Sequence, residues 1–133
     1  MTLVLSAAER EILDAPNFAV LSTIGPDGSP HASVMWVARD GDELLLATVQ
    51  GRQKDVNIQR DGRVSVTVYD AAKPYRYVEV RGMAVVEAAG GAELNEQLAT
   101  KYTGEGFKYH RPGQVRVAIR IKPTHTTGSA AGK

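Results

Sequence analysis

LLLATVQGRQKDVNIQRDGRVSVTV, residues 44–68, joins two apolar segments through a short basic one. The first segment is apolar up to Val49 apart from one threonine, and the last alternates valine with serine or threonine; both patterns are typical of β-strands. QKDVNIQRD between them has no strand alternation and fits about two helical turns. The stretch therefore predicts a strand, a short helix with a basic start, and a second strand.

The basic residues of this stretch raise the question of an anion, because the net charge of the chain is only +1. Arg52 and Lys54 stand at the positive end of the helix dipole, where each cation costs about 0.3–1 kcal/mol. A phosphate would be held there by the free helix N–H groups, the two cations and the Thr48 hydroxyl. The alternative is a solvated basic turn. Arg60 and Arg63, at the other end, would extend the patch or be merely solvated.

Turn-forming residues divide the rest of the chain into further strands and helices. SAAE, residues 6–9, has the form of a capping box and predicts a helix from Ala7 to Asp14. A helix is also predicted over residues 91–102, and Gly82 marks a bulge or a close backbone approach. Strands are predicted at residues 18–24, 31–39, 43–49, 63–70, 75–88 and 115–122, the last with Val115, Val117, Ile119 and Ile121 facing inward. Six strands with hairpin spacing predict a small β-barrel.

The chain is expected to form one domain over residues 1–125, followed by a flexible C-terminal tail over residues 126–133. There is no cysteine, and His31, His110 and His125 have no metal-ligand spacing, so no metal site is expected. The balanced charge argues against nucleic acid as a partner. The N-terminal apolar run is too short for a membrane span or signal peptide, and a cytoplasmic location is the expectation.

Three segments resemble the pyridoxamine 5'-phosphate oxidase-like family of flavin and deazaflavin proteins. They are FAVLSTIGPDGSPHASVMWV, residues 18–37, the stretch 44–68 quoted above, and YRYVEVRGMAVV, residues 75–86. Within the family the chain is most similar to the short actinobacterial oxidoreductases that use the deazaflavin coenzyme F420. The resemblance implies a mainly β fold, the FMN-binding split barrel, with six or so antiparallel strands and short helices. It also implies a homodimer with cofactor sites at the interface.

Positions that match the family pattern imply a set of cofactor-binding residues. Arg52 and Lys54 would hold the cofactor phosphate, Thr48 and Ala47 would line the same end, and Asn57 would support the loop. A second group would lie beside the cofactor ring, with its aromatic members supplied by the other subunit: Pro30, His31, Ser33, Met35, Tyr75 and Tyr77. No catalytic residue is identified; Ser33, Tyr75 and Tyr77 are candidate proton donors. Trp36 is either a core residue or a pocket wall.

The resemblance implies an oxidoreductase that transfers hydride from reduced F420 to an activated double bond of a small organic substrate. An FMN-dependent enzyme of the same fold and a flavin or deazaflavin carrier without turnover are the alternatives. The cofactor would carry the chemistry, and the protein would bind and orient it. A vitamin B6 substrate is not expected. True pyridoxamine phosphate oxidase has a longer C-terminal segment, through which it resembles a pyridoxal-phosphate binder. The last residues of this chain, IKPTHTTGSAAGK at 121–133, have no counterpart of that segment.

Overall fold

The computed structural model describes residues 3–131 and is mainly β, with one antiparallel sheet and three α-helices in that range. The strands are β1 (Ala19–Ile24), β2 (Pro30–Met35), β3 (Ala38–Asp40), β4 (Glu43–Val49), β5 (Arg63–Asp70), β6 (Lys73–Glu87) and β7 (Arg116–Thr127). The helices are α1 (Ala7–Asp14), α2 (Gln53–Arg60) and α3 (Gly91–Thr103), and a short 3₁₀ helix covers Ser129–Ala131.

The order of the strands requires the sheet to close on itself. Neighbours in the sheet follow the order β2-β1-β5-β6-β7-β4-β3, so β2 and β3 are its two edges. Only Trp36 and Val37 separate β2 from β3 along the chain. Because two residues span only a few ångströms, the two edges must come together at this point. The sheet is therefore rolled into a split barrel, which confirms the predicted fold class.

Strand alternation fills the barrel with aliphatic side chains. Leu44 and Leu46 of β4 and Ile119 and Ile121 of β7 are all completely buried and belong to one apolar core. Helix α1 covers this core with Ile12 and Leu13. Its bounds are those that the capping box predicted: the Ser6 hydroxyl accepts from the Glu9 amide at 3.1 Å, and the Glu9 carboxylate accepts from the Ser6 amide at 2.8 Å.

The segment predicted as one strand over residues 31–39 is two strands. β2 pairs with β1 and β3 pairs with β4, with the chain crossing from one edge to the other at Trp36–Val37. The apolar run therefore covers the crossing between two strands and is not one continuous strand; Val34 is 69% exposed in the single chain. The inward assignment of Val115 is also wrong, because β7 begins at Arg116 and Val115 is 52% exposed.

The flexible tail expected from residue 126 is wrong for residues 126–131, and so is the domain boundary at residue 125. β7 continues to Thr127, and Ala130 packs against the barrel core with 6% exposure. The Ser129 hydroxyl donates to the Tyr75 carbonyl and accepts from the Tyr77 amide at 3.1 Å. These contacts fix the end of the chain to β6. Residues 132–133 lie outside the described residues.

Gly82 has the role predicted for it. The pairing of β6 with β7 shifts register between Arg81 and Gly82. A Cβ atom at Gly82 would collide with the carbonyl oxygen of Lys122 on β7. The bulge therefore requires glycine for lack of space, and it bends the long strand β6 around the barrel.

Candidate functional site

A pocket of about 350 Å³ opens where β2 ends, between β4 and α3. Met35 and Ala47, both predicted from the sequence, are in its wall. Three of the other seven wall residues are aromatic, namely Phe18, Trp36 and Phe107. An apolar concave surface with few polar groups is the usual form of a small-molecule site.

Trp36 is a pocket wall and is stacked on α3. Its ring lies 5.4 Å from that of Tyr102 with an interplanar angle of 14°, and Phe107 meets it edge-on at 6.5 Å. The Tyr102 hydroxyl donates to the Asn17 carbonyl at 2.6 Å and accepts from the Val37 amide at 3.1 Å. The aromatic wall is therefore held by hydrogen bonds to the backbone of Val37 at the β2–β3 crossing and of Asn17 ahead of β1.

Lys101 reinforces the same junction from α3. Its ammonium group donates to the carbonyls of Leu13 and Val37, both at 2.6 Å. Burial is the main cause that lowers the pKa of Lys101 to about 8, and the positive charge of Arg39 acts in the same direction while Asp14 opposes it. Burial likewise raises the pKa of Tyr102. Both groups are structural anchors of the pocket.

Three cations gather beside the pocket, one more than the sequence predicted. Arg52 is the N-cap of α2 and no side chain caps that helix. Lys54 is half-buried, and burial together with the charge of Arg52 lowers its pKa. Arg116 lines the pocket with its guanidinium 4.6 Å from the Phe107 ring centre; its pKa is also lowered, by burial and by Arg52. In residues 3–131 none of the three is in an ion pair.

The other two basic residues of the stretch have partners in the protein. Arg60 donates to the Ile24 carbonyl and, at 3.3 Å, to the Asn57 side chain. Arg63 forms a salt bridge with Asp61 at 2.8 Å. Hydrogen bonding from Arg63 lowers the pKa of Asp61 to about 2. The basic stretch is therefore divided between an unpaired start and a paired end.

Asn57 supports α2 from inside. It is fully buried, and its amide nitrogen donates to the Thr23 hydroxyl of β1 at 3.0 Å while its oxygen accepts from Gln53 at 2.6 Å. A second support, Asp55, escaped the sequence analysis: it is 1% exposed and accepts from the Gly51 amide at 2.7 Å. Both residues fix the start of α2, and neither is exposed enough to touch a cofactor.

Thr48 and Ala47 point to opposite sides of β4. Ala47 lines the pocket, whereas Thr48 is 3% exposed and shares the inward face of Leu44 and Leu46. The expectation that the Thr48 hydroxyl joins the anion site is therefore not supported by the structure, because side chains alternate along a strand.

The predicted residues of β2 lie on two different faces of the strand, one towards the barrel and one away from it. His31, Ser33 and Met35 pair in register with Thr23, Leu21 and Ala19, whose side chains face the barrel. The Ser33 hydroxyl oxygen and the His31 Nδ1 atom are buried without a hydrogen-bond partner among the described residues. Since buried polar atoms normally have partners, the inward face of this edge strand offers two groups to a ligand. Pro30 is on the outer face, in a separate groove with Ser22 and Arg63.

Tyr75 and Tyr77 are not brought to this pocket by their own chain. Tyr75 is 92% exposed and Tyr77 38% exposed, near the tip of the β5–β6 hairpin. Their predicted contact with a cofactor in the partner subunit stays a prediction.

Sequence reasoning missed six residues of the pocket wall: Phe18, Val34, Asn95, Leu98, Phe107 and Arg116. The signal for Arg116 was available, because antiparallel pairing of the last strand with β4 places it opposite Val49, next to the basic turn. Phe107 lies in the irregular segment between α3 and β7, for which the sequence pattern gives no register. Asn95 is on a helix whose buried face could not be assigned to a site before the pocket was known.

Comparison with known proteins agrees with this geometry. Residues 5–129 match the family model described as pyridoxamine 5'-phosphate oxidase. The chain belongs to the pyridoxamine 5'-phosphate oxidase family. Within the family it is similar to a solved F420 reductase, with 31% identity, a TM-score of 0.82, and coverage of 92% of this chain and 98% of the other.

Two further solved structures are similar to this chain. A conserved hypothetical protein from Mycobacterium tuberculosis has 31% identity and a TM-score of 0.73, with coverage of 94% of this chain and 84% of the other. A putative pyridoxamine 5'-phosphate oxidase from Listeria innocua shares the fold at 23% identity, with a TM-score of 0.68 and coverage of 90% and 94%. No curated protein matches the chain.

Family membership supports a flavin-type cofactor, and the residues present fit such a group. Arg52, Lys54 and the start of α2, which has no side-chain cap among the described residues, would bind a phosphate. A planar ring would bind at the Met35 and Ala47 end of the pocket, beside the Ser33 hydroxyl and the His31 Nδ1 atom of β2. Among residues 3–131 no group of three potential metal ligands is close together. No helix in that range is long and apolar enough to cross a membrane.

Proposed function

We propose that this protein is a homodimeric, cytoplasmic oxidoreductase that reduces an activated double bond of a small organic molecule with hydride from reduced F420. The observation that carries the proposal is the cluster of unpaired cations, Arg52, Lys54 and Arg116, at the edge of an aromatic pocket. The 31% identity to an F420 reductase over 92% of the chain supports the choice of coenzyme.

The number of cations favours F420 over FMN. Both cofactors carry a phosphate, but the phosphate of F420 is extended by a polyglutamate tail with further carboxylates. Burial and the neighbouring charge of Arg52 make the charged forms of Lys54 and Arg116 costly, and an anion would relieve that cost. A phosphate followed by carboxylates can engage cations beyond those that hold the phosphate itself.

Seven of the predicted residues have a task in this proposal. Arg52, Lys54 and the helix N–H groups hold the phosphate, and Asn57 keeps α2 in place through its bond to Thr23. Ser33 and His31 direct polar atoms to the ring from β2. When bound, reduced F420 supplies a hydride, and the protein orients the acceptor and excludes water. Tyr75 and Tyr77 approach from the partner subunit, and with Ser33 they remain the candidate proton donors.

Turnover tests the proposal most simply. Purified protein is mixed with reduced F420 and a panel of enones and quinones, and the return of the oxidised coenzyme is followed by its visible absorbance. Coenzyme oxidation that depends on both protein and acceptor is the expected result. Tightly bound yellow FMN in the purified protein, with no response to F420, would show the FMN-dependent alternative. If the protein binds F420 but no acceptor oxidises the reduced coenzyme, the carrier alternative, a deazaflavin-binding protein without turnover, would be supported.

A further inference from the structure

The side-chain nitrogen of Asn95 is a buried polar atom of the pocket with no hydrogen-bond partner in residues 3–131. Asn95 is on α3, is 5% exposed and lines the same pocket as Trp36 and Phe107. An amide left in this state costs free energy, so a position held only for packing would favour an apolar residue.

The surroundings of Asn95 indicate what would satisfy it. Leu98 on the next turn of α3 and the rings of Trp36 and Phe107 are apolar, so the partner must be a polar atom on an otherwise apolar, flat molecule. An amide N–H donor is matched by a carbonyl oxygen. A carboxylate would instead be drawn to the guanidinium of Arg116, which lines the same pocket.

We infer that this pocket also binds the substrate, beside the cofactor ring proposed for its Met35 and Ala47 end, and that Asn95 donates a hydrogen bond to the carbonyl oxygen of a flat, uncharged α,β-unsaturated ketone or quinone. The identity of the reaction rests on the proposed function; the carbonyl site rests on Asn95 itself. Hydride addition at the β-carbon of such a molecule moves the double-bond electron pair towards the carbonyl oxygen, and the α-carbon then takes a proton from a hydroxyl donor, either one of the candidate side chains named above or water. A donor at that oxygen stabilises the charge that develops there. Asn95 is thus a specificity-determining residue of the reaction.

The pair 1-indanone and indane isolates the carbonyl, because the two bicyclic molecules differ in little else and neither has a double bond that the enzyme would reduce. Trp36 is the only tryptophan of the chain and lines the pocket, so its single indole N–H signal in a ¹⁵N-correlated NMR spectrum reports binding. Titrations use the full-length protein with and without F420. The unmodified protein should bind 1-indanone about twofold to tenfold more tightly than indane, the range for one neutral hydrogen bond.

Asn95→Leu, which replaces the amide by an apolar group of similar shape, should remove this preference and leave indane binding unchanged. The same variant should melt a few degrees higher than the unmodified protein, because it removes an unpaired buried amide. Gln97→Leu, which also replaces a side-chain amide by leucine but at an exposed position of α3, is the matched control and should keep the preference for 1-indanone. Asn95→Ala gives a second test of the preference should the leucine narrow the pocket.

Three results would overturn the inference. Equal binding of the two probes to the unmodified protein would remove the carbonyl site. A lower melting temperature for both Asn95 variants would show that the amide has a structural partner. If the Asn95 variants bind 1-indanone as the unmodified protein does but bind F420 more weakly, the amide contacts the coenzyme and not the substrate. Failure of F420 to bind at all, with the 1-indanone preference intact and dependent on Asn95, would refute the proposed function and keep the carbonyl site.

Discussion

Removing the Asn57 side chain should destabilise the whole protein, although the residue is on a helix of only eight residues. In Asn57→Ala the Thr23 hydroxyl, 2% exposed, loses the amide that donates to it at 3.0 Å. Leaving such a buried group unpaired costs about 1–3 kcal/mol, and the void left by the amide adds about 1 kcal/mol. Gln53 and Arg60, the donors to the Asn57 oxygen, are exposed and can turn to water. The expected loss is therefore about 2–4 kcal/mol.

Thermal unfolding measures this loss. A chain of 133 residues has an unfolding entropy of roughly 280 cal/mol/K at its midpoint, so the melting temperature should fall by about 7–14 °C. Protein concentration must be the same for all variants, since a dimer gains stability with concentration. Gln53→Ala removes only one of the two exposed donors to the Asn57 oxygen and serves as the control, with an expected change of less than about 0.5 kcal/mol.

Because Asn57 supports α2, the helix proposed to bind the cofactor phosphate, we expect Asn57→Ala to have a second effect. F420 affinity should fall in Asn57→Ala even at temperatures well below unfolding, because the anchor between α2 and β1 is lost. A change in stability of less than about 0.5 kcal/mol would refute the reasoning. If Asn57→Ala loses the predicted stability but keeps its F420 affinity, the role of Asn57 is in folding alone and not in cofactor binding.

Two further predictions concern other parts of the fold. The pKa of Lys101 is about 8 in the folded protein against 10.5 for an unburied lysine, so between these values the unfolded chain binds more protons. The free energy of unfolding should therefore rise with pH across that window, and urea denaturation should show that Lys101→Met removes the rise. Gly82→Ala forces a Cβ against the Lys122 carbonyl and should cost more than about 2 kcal/mol by the same assay. Gly106→Ala, where the Cβ would meet only the Glu96 carboxylate, should cost far less; equal losses would contradict the bulge argument.

Much of the barrel follows from local patterns in the sequence. The capping box at Ser6 and Glu9 determines α1, and the valine alternation of residues 64–68 determines β5. The crossing at Trp36–Val37 could not be seen in the same way. It looks like the middle of an apolar strand, and only the pairing of β2 with β1 and of β3 with β4 reveals that the chain changes edge there.

The site was predictable where a local charge pattern marked it. Arg52 and Lys54 were found because two cations at a helix start are unfavourable without an anion. Strand alternation correctly turns Arg116 away from the barrel core, and the pairing of β7 with β4 is what places it opposite Val49 at the edge of the pocket. Asn95 could not be found from the sequence at all, since an asparagine in a helix gives no sign of lacking a partner.

Equilibrium binding of F420 and FMN to Lys54→Gln and Arg63→Gln tests the central claim most directly. Both variants lose one positive charge from the same stretch, but only Lys54 is without a partner, since Arg63 pairs with Asp61. F420 should bind the unmodified protein more tightly than FMN, and Lys54→Gln should weaken F420 binding about tenfold to a hundredfold, the range for a charged hydrogen bond. Arg63→Gln should bind F420 as the unmodified protein does. Equal F420 affinity for the two variants, or a clear preference for FMN, would contradict the account.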